Sequence, residues 1–339
     1  MMNNGCTYTD RISPKTTDQT VLDYYVQLYA HSSEEEWNDR ICSGKIKLNG
    51  QLTTPNTFIK SGQILTYDRS PWEEIDVPLT FEVCYEDADL LVIVKPSGLP
   101  VLPGGGFLEN TLLRLLARSY EKNPPIPIHR LGRGTSGLMI LARTPLAKAQ
   151  LTKQMSDRQI QKIYLALVNG VVQDDRIEIH QPIGKVTHPV LGYLFSATSD
   201  GLVSESHLEV LERRPDSTLC AVKIFTGRPH QIRIHTATIG HPLVGDPLYA
   251  VGGIARLDPP KSPLVRATLN GLHQEDIAVP GDCGYHLHAH RLSFLHPRSQ
   301  ESMNFTSIPN NPLLLNQLIN AKIEPRADQK FIEKRSHLL

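Results

Sequence analysis

The stretch "LMILARTPLAKAQLTKQMSDRQIQKIYLALVNG", residues 138–170, most constrains the fold, because two hydrophobic periods alternate within one short span. Leu138–Ala142 is an unbroken apolar run of strand length. Thr144-Pro145 then supplies a cap followed by proline at the first helical position, where its missing N–H has no bond to lose. Leu151 and Met155 lie four apart on one helical face, with Lys148 and Arg158 left to solvent, and "KIYLALVNG" (162–170) returns as a strand. Strand, helix and strand, followed by many strands and few helices, predict an α+β fold with a mixed, mainly antiparallel sheet and flanking helices. A doubly wound sheet would need regular alternation, which is missing.

The 339 residues, 40% hydrophobic, suffice for two domains. Residues 1–15 are expected to be a flexible N-terminus. Residues 16–76 form a small domain: Val21, Tyr24, Tyr25 and Leu28 recur at helical spacing, Ser33 caps a Glu-rich turn ahead of Trp37 and Ile41, and Asn49-Gly50 suits a tight hairpin. Residues 80–298 form the larger domain, opening on the apolar run Leu90–Val94 that Pro96 and Gly98 end in a surface loop, followed by a leucine-striped helix over 110–120. Residues 299–339 are a polar C-terminal extension, ending in a loosely held tail. No apolar segment matches a secretion signal or spans a bilayer, so the expected compartment is the cytoplasm. The five cysteines lie far apart, which fits neither a disulfide framework nor a thiolate metal site.

Lys plus Arg equal Asp plus Glu at 35 each, yet the charge is segregated. From His129 to Tyr164 seven bases face Asp157 alone, and from Glu73 to Asp89 there are seven acids and no base. Such segregation builds a basic cleft on a neutral molecule, or scatters over solvated faces; the charges alone do not choose.

Three stretches hold candidate chemistry. "HRLGRGTSG" (129–137) concentrates Arg130, Arg133, Thr135 and Ser136, suited to phosphate contacts, yet carries no carboxylate. Lys162 and Tyr164, two apart, share one face of a strand. "KIFTGRPHQIRIHTATIGHPLVGDPLYA" (223–250) brings Arg228, His230 and Arg233 with no acid before Asp246, a set whose forked guanidinium donors suit an anionic ligand. His286, His288 and His290 alternate, but no cysteine or acid–His pair completes a ligand set, so no metal is expected. Gly-x-Ser-x-Gly, Walker and dinucleotide motifs are missing.

"HRLGRGTSGLMILAR", "KIYLALVNG", "TGRPHQIRIHTATIGHPLVGDPLY" and "LHAHRLSFLHP" occur in the order and at about the separations of the RluA/RluD family of RNA pseudouridine synthases, which residues 80 to 298 resemble. The module before Arg69 is similar to the small alpha-L RNA-binding domain. The resemblance implies cofactor-free isomerisation of uridine to pseudouridine in structured RNA, ribosomal or transfer, by a protein expected to be a monomer without membrane attachment. A paired target must be everted at a cost of a few kcal/mol. By resemblance, Arg130 enters the vacated space, Tyr164 stacks on the ring and serves as base at carbon 5, and Arg228 partners the catalytic carboxylate. Arg133, Thr135, Ser136, Lys162, His230 and Arg233 belong to the RNA-binding set.

The sequence departs from the family at Gly132, where the motif carries an aspartate. A carboxylate beside an anomeric carbon can attack it, stabilise positive charge or take a proton; glycine does none of these. Three accounts stay open: Asp246 substitutes, a divergent mechanism tolerates Gly132, or the protein is a catalytically inactive RNA binder. A scaffold without RNA affinity is the remaining alternative.

Overall fold

The computed structural model describes residues 2–29, 32–188, 192–256 and 281–315. The tail "RADQKFIEKRSHLL" lies outside the described residues. In the N-terminal module, helices Val21–Leu28 and Glu34–Cys42 pack on a four-stranded sheet. Each helix starts with a reciprocal cap, Thr20 with Asp23 and Ser33 with Glu36, so orphan N–H groups of the first turn are satisfied by side chains three positions apart. Trp37 stacks on Tyr25 at 4.7 Å, in a core with Ile41, Ile46 and Leu65. Leu28, expected on the buried face, is exposed. Asn49 and Gly50, both at positive φ, join strands Ile46–Leu48 and Gln51–Leu52, as the hairpin reading requires.

Two boundaries need correction. Residues 1–15, expected to be flexible, include the strand Cys6–Arg11, antiparallel to Ile64–Arg69. Its side chains are mostly exposed and polar, so the hydrophobic pattern gave no sign of a strand held by backbone pairing. Likewise Ser302–Thr306, assigned to the extension, pairs with Leu287–Leu295 and belongs to the main sheet. The module is fastened to the larger domain through Glu74: its buried carboxylate accepts from Asn3 Nδ2 at 2.7 Å and from the backbone N–H groups of Glu109 and Asn110.

The larger domain is built on a ten-stranded sheet. Its main path runs Arg176–Ile179, Ser206–Arg213, Ser217–Ile224, Gln161–Asn169, Leu287–Leu295, Ser136–Ala142, Leu90–Lys95, Glu82–Glu86. Leu287–Leu295 with Ser136–Ala142 is parallel and the other pairings are antiparallel, matching the expected mixed, mainly antiparallel α+β fold. That parallel crossing depends on Gly137: its φ is 110°, and a Cβ there would collide with the Ala289 backbone.

Alternate residues feed cores on both faces. Leu91, Ile93, Met139 and Leu141 join one, with helix Leu112–Ser119 supplying Leu112 and Leu116. Leu90, Val92, Leu138 and Ile140 join the other, with Leu151 and Met155 from helix Pro145–Ser156. Burial on both faces explains why Leu90–Val94 and Leu138–Ala142 are continuously apolar rather than alternating.

Candidate functional site

The stretches 129–135, 155–164, 224–233 and 285–287 meet at a cleft of about 510 Å³. Two of its walls are strand ends, Gln161–Asn169 and Ser217–Ile224, which pair so that Lys162 lies opposite Ile224. Lys162 and Tyr164 both reach it, as two residues on one strand face must. The next wall is the turn Thr226–His230 and the first residues of helix Gln231–Thr238. The motif loop around Arg130 and Gly132 forms the side facing that turn.

Among the described residues, the cleft contains Arg130, Arg158, Lys162, Arg228 and Arg233 and no Asp or Glu. Arg130 is exposed. Lys162 is buried, its described hydrogen-bond partner is the Met155 sulfur at 3.5 Å, and burial pushes its ammonium pKa down. Tyr164 is 7% exposed and burial holds its phenol protonated; its hydroxyl makes no hydrogen bond to a described residue. A phenol without a described hydrogen-bond partner, beside these cations, has the chemistry to meet an aromatic or anionic ligand.

His230 sits in the left-handed region (φ 55°) at the N-terminal edge of its helix. Its Nδ1 is 2.7 Å from the Tyr249 hydroxyl, whose proton is donated to the Phe195 carbonyl at 2.8 Å. Nδ1 therefore carries the imidazole proton and Nε2 keeps a free lone pair. Burial, reinforced by Arg233 and Arg130, drives its pKa well below the usual histidine range. His129 is neutral for a similar reason: burial and Lys162 push it down to about 4, and its Nε2 accepts the Ile140 N–H.

Several expected site residues are employed elsewhere. Asp246, the candidate substitute acid, does not line the cleft: its fully buried carboxylate is bound by Arg233 Nε and Nη2 at 2.7 Å each and by the Leu248 and Tyr249 N–H groups. Arg233 is thereby a fixed, neutralised charge in the cleft wall. Burial opposes its protonation, but the Asp246 carboxylate more than restores it. Arg228 has no carboxylate partner among the described residues; its Nε donates to the Val203 carbonyl at 3.1 Å. Arg133 and Ser136, placed with the RNA-binding set, do not line the cleft either. Arg133 donates to the Gly98 and Gly281 carbonyls, and Ser136 shares a 2.8 Å hydrogen bond with His288. Thr135 does line it. The alternating histidines are likewise spent, His286 on Asn311 and His288 and His290 on Ser307.

Three contributors escaped the sequence reading. Gln231 fixes the turn bearing Arg228: its Oε1 accepts from Thr226 Oγ1 at 2.7 Å and from the Arg228 N–H, and its Nε2 donates to the Glu205 carbonyl. Lys95, fully buried, donates to the carbonyls of Pro96, Leu99 and Arg133, sewing the motif loop to the loop after Val94. Its "KPSG" setting was the only signal, and reads equally as a surface loop. Tyr285 forms part of the cleft floor, its ring 4.3 Å from the Arg233 guanidinium; nothing around it in sequence distinguishes it from a core tyrosine. The acidic run resolves similarly, since Glu74 and Asp89 are buried in structural bonds and Asp87 pairs with His296. A second, more open hollow of about 580 Å³ lies on the N-terminal module around Lys45 and Arg69, away from all of these residues.

The mixed, mainly antiparallel sheet with flanking helices is consistent with the catalytic domain of a pseudouridine synthase. Residues 89–238 match the family model described as RNA pseudouridylate synthase. An uncharacterised RNA pseudouridine synthase of Synechocystis sp. is 42% identical over 85% of this chain and 93% of its own. Ribosomal large subunit pseudouridine synthase D of Pseudomonas aeruginosa is 34% identical over 86% of this chain and 89% of its own. Human RNA pseudouridylate synthase domain containing 1 shares the fold at a TM-score of 0.51 and 23% identity, over 74% of this chain and 97% of its own. The chain belongs to the RNA pseudouridine synthase family.

Proposed function

We propose that this protein isomerises uridine to pseudouridine in structured RNA of the ribosomal or transfer class, within the RluA/RluD branch of the family. The observation that carries this reading is the convergence of Arg130, Tyr164 and Arg228 on one cleft, from stretches separated by at least thirty residues. In this reading the cations hold the backbone around an everted nucleotide, Arg130 fills the stack it leaves, and the uracil ring lies against Tyr164. The N-terminal module serves as an alpha-L-type RNA-binding domain.

A second reading, an RNA binder without catalysis, is favoured by one observation: no carboxylate lines the cleft among the described residues. Position-resolved pseudouridine mapping with and without the gene, together with reaction of the purified protein on uridine-containing RNA, separates the two. Sites lost in the knockout and formed in vitro support the synthase; retained salt-sensitive RNA binding with no product anywhere supports the binder.

A further inference from the structure

Tyr285 explains the glycines of the opening motif. A Cβ built on Gly132 would lie 2.8 Å from the Tyr285 hydroxyl and 3.3 Å from Thr135 Oγ1, with no other described residue beyond its chain neighbours within 4 Å. A Cβ on Gly134 would lie 2.9 Å and 3.0 Å from two carbons of the same ring and 3.2 Å from the Cys283 Cα. Neither glycine has the positive φ that would itself demand glycine. The demand at these positions is steric: a side chain at 132 and the phenolic oxygen of Tyr285 are alternatives for one space.

We propose that Tyr285 is a substrate-contacting residue, whose hydroxyl is the polar group offered to the everted nucleotide in the space a side chain at position 132 would otherwise occupy. The inference rests on the reading of the cleft as a uridine site. The ring is buried and held against the Arg233 guanidinium, which Asp246 fixes in turn, so the hydroxyl is preorganised and costs little to orient. Its described polar contact is Thr135 Oγ1 at 3.3 Å, a long bond between two hydroxyls that leaves donor capacity for a ligand. Burial holds the phenol neutral despite the nearby arginine. The group therefore donates a hydrogen bond; it does not reproduce the anion of a carboxylate.

The test compares the full chain with Tyr285→Phe, Gly132→Asp and the double variant, using uridine 5′-monophosphate binding, pseudouridine formation and thermal melting. Tyr285→Phe is expected to weaken uridine 5′-monophosphate about threefold or more, the range of one lost hydrogen bond, and to slow product formation about tenfold or more, with its melting temperature maintained. Gly132→Asp alone is expected to melt earlier, and Tyr285→Phe to restore it by removing the oxygen that the new side chain meets. Unchanged nucleotide affinity in Tyr285→Phe overturns the contact, whether or not any of the proteins makes pseudouridine. Gly132→Asp melting like the parent overturns the steric exclusion. If the parent makes no product while the affinity difference persists, the synthase reading falls and the Tyr285 contact stands.

Discussion

Arg233, in the cleft wall, and Asp246, behind it, form a bidentate pair, two N–H···O bonds of 2.7 Å with both side chains buried. The pair supports the floor through the ring of Tyr285 and caps the Leu248 and Tyr249 N–H groups. Asp246→Ala takes from a buried guanidinium the carboxylate that holds it with two bonds, and is expected to lower unfolding free energy by about 3–5 kcal/mol. Denaturant titration checks this; a loss below 1 kcal/mol would mean that Asp246 is not a structural counter-ion. Lost activity in Asp246 variants is then a folding effect and says nothing about a substitute acid.

Arg130 and Arg228 are expected to act as cations on the RNA backbone. Alanine at either weakens binding across RNA sequences and reduces the slope of log K against log salt by roughly one. Affinities measured from low to physiological salt decide the matter: a parent-like slope for both variants removes them from the interface.

Tyr164→Phe retains the buried ring and deletes only a hydroxyl with no described protein partner. Stability should stay within about 0.5 kcal/mol of the parent, and RNA affinity should hold, while product formation falls by about 10²-fold or more. Equal turnover numbers for the two proteins would take the hydroxyl out of the reaction.

Acid should destabilise the protein through its neutral histidines. Burial holds His129, His235 and His288 down to about 4, below their unfolded value. Between that value and about pH 6.5 the unfolded chain binds more protons than the native one, so stability falls as pH drops through this window. The combined loss at pH 4.5 is on the order of several kcal/mol. Urea midpoints at pH 7 and pH 4.5 measure it, and equal midpoints would contradict the neutral assignment.

Much of this molecule is legible in its residues. The apolar runs 90–94 and 138–142 mark central strands, Thr144-Pro145 marks a helix start, Asn49-Gly50 marks a hairpin, and four motifs mark the family. These are local signals, set by backbone sterics and by the period of burial over a few neighbouring side chains. The polar strand Cys6–Arg11 gave none, because its partner is 53 or more residues away and its side chains face water. Nor do residue types say which cation is already paired: Arg228 and Arg233 share one motif and both line the cleft, yet Arg233 is held by Asp246 while Arg228 has no carboxylate partner among the described residues. The sequence by itself determined the secondary-structure grammar, the family and the glycine at 132. Only the tertiary structure decided that Asp246 is locked below the site and that Tyr285, 153 positions from Gly132, occupies the space in front of it, because such exclusions arise from atoms that chain connectivity does not bring together.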